Sequence, residues 1–232
     1  SFILFGIILS KNPSGYDKAL TENERIKLTK DHVCTSLLKV KGEDKMKEVI
    51  YVYYKDNDGK KYPAFCVEPS KEGVGSGAGD EYDVTVNQIS NNVLWRMLYK
   101  GYMGTKYTTW NLECDDDLYY ATKTAIHCIE YNQSPKDRYE EAVRVGRGEN
   151  VSLDDVKRRS KKVLDVAQKI YEFGYSGTEN YIKPQLTLNK DGNLIEEKIG
   201  NTEYIIQNYK LMANKELSEY EVSIDGFING TK

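Results

Sequence analysis

Cys66 has the widest chemical reach of any residue in this chain, because a thiolate is both a strong nucleophile and a leaving group. It lies in Tyr62-Pro-Ala-Phe-Cys-Val-Glu-Pro69, a short strand-like segment with Pro63 and Pro69 near its ends. His127 is a possible base for it, carried on a segment with helical periodicity, although no hydrolase signature surrounds Cys66. Glu113 with Asp115, Asp116 and Asp117 forms an acidic cluster able to attract Ca²⁺. The EF-hand ligand pattern is absent, however, and acids at the start of a helix already complement its dipole. The glycine-rich stretch Gly73-Val-Gly-Ser-Gly-Ala-Gly79 is followed by no Lys-Ser/Thr pair, so a plain loop is expected there and not a phosphate cradle.

The four cysteines, Cys34, Cys66, Cys114 and Cys128, form no CxxC and no Cys/His ligand spacing. Only His32 and His127 are available to assist them, so neither a metal site nor a cofactor is expected. A Cys114–Cys128 pairing stays open at this level, since spacing alone does not establish disulfide geometry.

Composition narrows the function classes. The chain of 232 residues carries 33 Lys+Arg against 36 Asp+Glu, a net charge of −3, which supplies no electrostatic reason for nucleic acid or an anionic membrane as partner. Tyrosine is abundant, 19 against 5 phenylalanines, and its apolar body with a polar tip suits half-wet sheets and recognition surfaces. A charged fraction of 30% and a mean hydropathy of −0.65 describe a soluble globule. The apolar run at residues 1–10 is too short to span a bilayer and lacks the basic flank of a complete export signal. A buried first strand is expected there, with a remnant of an export signal as the other reading.

The elements that must position these groups follow from periodicity. Thr35–Lys41, Val49–Tyr54 and Lys61–Val67 are rich in β-formers, and Asp56-Asn-Asp-Gly59 supplies a tight turn before the strand that delivers Cys66. From about 88 to 173 the period becomes helical. One helix carries Val93, Leu94, Met97 and Leu98 and stops at Gly101; a second starts at Asp115 with a stripe through Leu118, Ala121, Thr122, Ala125 and Ile129. A third is signalled by Ser152-Leu-Asp-Asp155 and runs from about Val156 to Phe173, ending at Gly174. Strands return in Pro184–Leu188, before a turn at Asn189-Lys-Asp-Gly192, and in Glu203–Tyr209 and Glu221–Ile224. The expected class is α+β: a sandwich-like or barrel-like sheet region with an inserted helical subdomain. We expect a single domain over 1–232, with β regions at about 1–87 and 178–232 and a helical insertion at about 88–177.

Three of these segments together resemble a known family. Tyr62-Pro-Ala-Phe-Cys-Val-Glu-Pro69 resembles the cysteine strand of the thioester domains found on Gram-positive surface adhesins and pilus tips. Leu94-Trp-Arg-Met-Leu-Tyr-Lys-Gly-Tyr102 is similar to the helix and glycine turn that follow it, and Asp117-Leu-Tyr-Tyr-Ala-Thr-Lys-Thr-Ala-Ile-His127 to the helix that presents the partner residue. The resemblance covers roughly residues 60–130. It implies an internal thioester, formed when a cysteine thiol displaces ammonia from a glutamine side chain and opened when an amine on a host protein attacks the acyl carbon. Cys66 matches the thiol position. Where the pattern has glutamine, this chain has Lys123, which carries no carbonyl and forms no thioester.

Three readings of Lys123 stay open: a natural loss of the acyl group, a substitution introduced to hold the pair unbonded, or an oxygen-linked lysine–cysteine bridge. A thioester displaced to Gln88, Gln133, Gln168, Gln185 or Gln207 is not expected, because none lies in the matching motif. Tyr119, His127 and Glu130 are the implied supporting residues, with Glu68 and Glu130 as candidate carboxylates for the lysine. The resemblance implies an extracellular, wall-anchored, non-enzymatic adhesion domain, monomeric within a longer protein. Its partner would be an extracellular host protein presenting an amine, with no nucleic acid and no membrane. A cysteine hydrolase or transferase using Cys66 and His127, or a purely structural stalk or pilus domain, are the alternatives.

Overall fold

The computed structural model describes residues 2–4, 25–55, 59–70, 80–83, 91–180 and 186–214. The glycine-rich stretch at 73–79, most of the turn at 56–58, residues 5–10 of the apolar run and the expected strand at 221–224 lie outside them. The fold is α+β, and the described sheets are open rather than closed into a barrel. The chain divides into two compact units, one holding residues 1–7 and 12–181 and the other 8–11 and 182–232.

In the first unit, five antiparallel strands form one sheet in the order β1-β5-β4-β2-β6: β1 Phe2–Leu4, β5 Lys61–Cys66, β4 Ile50–Lys55, β2 Arg25–Val33 and β6 Asp80–Asp83. The N-terminal run thus begins as a strand, pairing Phe2 with Cys66 and Leu4 with Ala64. Pro63 falls one residue beyond that short partner. The residue without an N–H therefore sits where the outer side of β5 is uncovered by β1. Gly59, at φ +82, completes the turn between β4 and β5 with a backbone that favours glycine. Two further strands, β3 Leu38–Val40 and β7 Tyr139–Glu141, make a small sheet of their own.

The helices are α1 Asn92–Lys100, α2 Asp115–Tyr131, the single turn α3 Pro135–Arg138 and α4 Leu153–Ser176. Asn91 caps α1 by accepting from the Leu94 N–H at 3.2 Å, and the Gly101 N–H returns to the Met97 carbonyl. Ser152 caps α4 by accepting from the Asp155 N–H at 3.1 Å. That helix runs past Gly174, where an ending was expected. A Cβ at 174 would meet Met97 Cγ at 2.6 Å, so this glycine allows α1 and α4 to approach closely, and the cap falls at Gly177.

The central element is α2, in which every residue from Asp117 to Cys128 is buried. A helix buried on all sides must satisfy its polar groups internally. Thr122 and Thr124 do so by donating back to the Leu118 and Tyr120 carbonyls, at 2.7 and 2.8 Å. Tyr120 donates to the Lys47 carbonyl at 2.6 Å, and Tyr119 to that of Ala64 at 2.8 Å. Asp117, 1% exposed, is paired with Arg159 of α4 at 2.7 Å. Side chains of β4, β5, α1, α2 and α4 share one apolar core that includes Phe65, Leu94, Met97, Leu118, Ala125, Val163 and Ile170.

In the second unit, β8 Leu186–Ile199 and β9 Thr202–Ala213 form a long hairpin paired only with each other among the described residues. The turn expected at 189–192 is not one. The strand continues through it, with Gly192 at φ +74 inside a register shift between Asp191 and Ile195, and reverses instead at Gly200 and Asn201. The turn-forming residues Asn, Asp and Gly here build a bulge.

Candidate functional site: a buried lysine beside two cysteines

β5 ends on Cys66, which is 8% exposed and donates its S–H to the Glu68 carbonyl at 3.4 Å. Above it lies α2, whose residues 119, 123 and 127 recur every four positions and so share one face. Tyr119 and His127 both reach carbonyls of β5, those of Ala64 and Cys66. Lys123 lies between them, 7% exposed. Its ammonium donates to the Ile50 carbonyl on β4 at 2.9 Å and stands 5.6 Å from the Tyr119 ring centre.

Two thiols flank this amine. Val33 is level with Ile50 across β2 and β4, and the Cys34 N–H donates to the Val49 carbonyl at 2.9 Å. Ala64, opposite Val52, is the last residue of β5 paired with β4, and Cys66 lies two residues further along β5, where α2 reaches the strand carbonyls of both Ile50 and Cys66. Cys34 and Cys66 therefore border opposite sides of the strand that binds Lys123. All four cysteines are free thiols. Cys114 and Cys128 occupy the cap and the interior of one helix, about 21 Å apart along its axis, so the open question of their pairing is answered in the negative.

Burial drives the electrostatics. It pulls Lys123 down to about 8, opposed by attraction to Cys66 and Cys34 and reinforced by Lys30. No carboxylate pairs with Lys123 among the described residues. Glu130 instead accepts from the Ser70 hydroxyl and N–H, which ties down the chain just after β5. Burial raises the Cys34 thiol to about 12, with Asp116 adding to the effect.

His127 is not placed to activate the thiol. Its Nε2 lies 3.1 Å from the Cys66 carbonyl oxygen, an acceptor only, so that nitrogen carries the proton. Its Nδ1 then accepts from the Lys47 ammonium at 3.2 Å, leaving no basic nitrogen for Cys66. Burial, followed by repulsion from Lys47 and Lys123, holds the imidazole well below its usual range. Lys47 is itself buried, at 3.4 Å from the Tyr139 hydroxyl, and desolvation lowers it to about 7. Tyr119 is a packing residue of this layer, stacked on Phe65 with 4.7 Å between centres and tilted against Tyr51 at 4.5 Å.

The acids weighed as a Ca²⁺ cluster do not converge. Asp117 pairs with Arg159, Glu113 with Arg158 and Lys162, and Asp116 with His32. Sequence reasoning missed Cys34, Lys47 and the Ile50 carbonyl. Each of the first two lies just ahead of a strand-like segment, Cys34 before Thr35–Lys41 and Lys47 before Val49–Tyr54, and nothing in the spacing connects them to α2.

Among solved structures, the thioester domain of the Enterococcus faecium TIE86 protein is similar to this chain, with a TM-score of 0.49 and 18% identity over 85% of this chain and 64% of that one. This chain is similar to a thioester domain. The Bacillus anthracis TIE protein is similar at a TM-score of 0.47 and 14% identity, over 82% of this chain and 31% of that one. The chain spans less than two thirds of the length of either. No family model matches it, and no characterised protein matches it in sequence.

Proposed function

We propose that this chain is an extracellular adhesion domain of thioester type whose acyl position is filled by an amine, so that it binds its host protein partner without forming a covalent bond. The observation that carries this reading is the seating of Lys123: α2 sets its amine in the same buried layer as Cys66, held by a strand carbonyl where an acyl donor would otherwise meet the thiol. A dry, packed setting is what a thioester needs to outlast hydrolysis, and here it surrounds two groups that do not condense with each other. The ordered motifs over residues 60–130 support the same assignment. An enzymatic role for Cys66 with His127 is disfavoured, because both ring nitrogens are engaged elsewhere. Wall anchorage and a longer surface protein around the domain belong to this proposal.

The test is Lys123→Gln with intact-mass measurement. The variant is expected to be one ammonia lighter than its sequence, to resist alkylation at Cys66, and to add a small primary amine when incubated with one. The parent chain is expected to show its full sequence mass and to add no amine. A variant that keeps its full mass and a free Cys66 while remaining folded would overturn the assignment.

A further inference from the structure

We propose that His32, Cys34 and Asp116 form a binding site for a single divalent cation of the zinc type. This goes beyond the reading of Cys66 and Lys123 and does not depend on it. One ligating atom from each residue, an imidazole nitrogen, the thiol sulfur and a carboxylate oxygen, lies within 4.8 Å of the other two. The mixed set of one soft, one intermediate and one hard donor suits Zn²⁺ or Co²⁺ better than Ca²⁺ or Mg²⁺, which take oxygen alone. Ligand bonds of about 2.0–2.3 Å in a tetrahedron separate neighbouring donors by about 3.3–3.8 Å. The gap of 2.8 Å between His32 Nε2 and Asp116 Oδ2 must therefore open slightly, and the widest separation must close by about 1 Å.

The surroundings are those of a held ligand set. The other ring nitrogen of His32, Nδ1, lies 2.8 Å from Asp31 Oδ2, and Lys61 fixes Asp31 at 2.8 Å. A carboxylate behind the imidazole is the usual device that orients a metal-binding histidine and makes it a better donor. The Tyr51 ring stacks on the imidazole, with centres 5.4 Å apart and planes 7° apart, which restricts its rotation. Cys34 is 2% exposed, and its sulfur makes no hydrogen bond among the described residues. The thiol belongs to the apolar core and at the same time lies within reach of an imidazole and a carboxylate.

His32 is exposed and Asp116 half-buried, so the fourth position faces solvent and takes a water. Binding releases the Cys34 thiol proton, and any proton on His32 Nε2, to solvent. Thiolate and carboxylate then balance the 2+ charge.

The experiment titrates Co²⁺ into the full chain at neutral pH and follows its absorption. One equivalent is expected to produce a thiolate-to-cobalt charge-transfer band in the near ultraviolet and the intense visible bands of four-coordinate cobalt. Cys34→Ser should abolish the charge-transfer band while leaving the circular dichroism of the metal-free chain unchanged. Asp31→Asn should weaken binding by about ten- to a hundred-fold without removing the band. Cys66→Ala and Cys114→Ser should leave the spectrum as it is. Absence of a thiolate band in the parent chain would overturn the proposal, as would a band that survives Cys34→Ser and disappears with another cysteine.

Discussion

Two lysines, Lys47 and Lys123, are held below their usual proton affinity by burial, about 7 and about 8 against 10.5. Each therefore binds its proton less tightly in the folded chain than in the unfolded one, which favours unfolding wherever the unfolded chain is protonated. For Lys47 the penalty is complete below about pH 7 and fades as pH rises towards 10.5. Replacing it by methionine removes a titration and keeps the volume. We expect Lys47→Met to gain stability on the parent at pH 7 relative to pH 9.5, the gap narrowing by at most about 1.4 kcal/mol per pH unit, as measured by urea unfolding across that range. A difference between the two chains that is flat with pH would show that Lys47 is not desolvated. Comparing two chains matters here, because Cys34 and Cys128 are raised to about 12 and pull stability the other way in alkali. Cys66, Lys123 and His127 were legible in the sequence because they lie in short motifs on one strand and one helix. Cys34 and Lys47 join them only through strand pairing and helix docking, which single-sequence spacing does not encode. His32 and Cys34 stand two apart, but their relation to Asp116 exists only once α2 is seated at the end of β2.

At the scale of elements, α2 is tied to α4 through one ion pair. Asp117 is almost wholly enclosed and Arg159 is its cationic partner. Removing one member of such a pair leaves a charge with neither water nor counterion. Arg159→Met is expected to cost about 3–5 kcal/mol in chemical denaturation, and the double change with Asp117→Asn to recover most of it. Were the single change neutral, Asp117 would have to be hydrated in the folded chain. The helices themselves were legible: the apolar stripes and the Ser152 signature placed α1, α2 and α4 within a few residues. What periodicity did not give was that α2 is enclosed on every side, since the expected apolar stripe held Thr122 but left Lys123, Thr124 and His127 outside it. They are instead satisfied by carbonyls of the helix itself and of the sheet beneath. The misplaced reversal in β8 has the same origin. Asn-Lys-Asp-Gly favours a glycine-like backbone, and whether that makes a turn or a bulge depends on how far the partner strand extends.

Across the whole molecule, the apolar core belongs to the first unit, while the described side chains of β8 are all exposed. A chain ending after residue 181 is therefore expected to keep one cooperative unfolding transition with a midpoint close to that of the full chain, measured by circular dichroism on heating. Loss of that transition would mean that residues beyond 181 complete the core. The hairpin has a mechanical consequence of its own. Leu186 and Ala213 are paired, so both ends leave from the same extremity and tension between them acts across the strands. The rungs break in succession from that open end towards Gly200, each carrying the load alone, instead of resisting together as strands do when they slide lengthwise. Stretched in this direction, the hairpin is expected to yield gradually at low force and to re-form when slack returns.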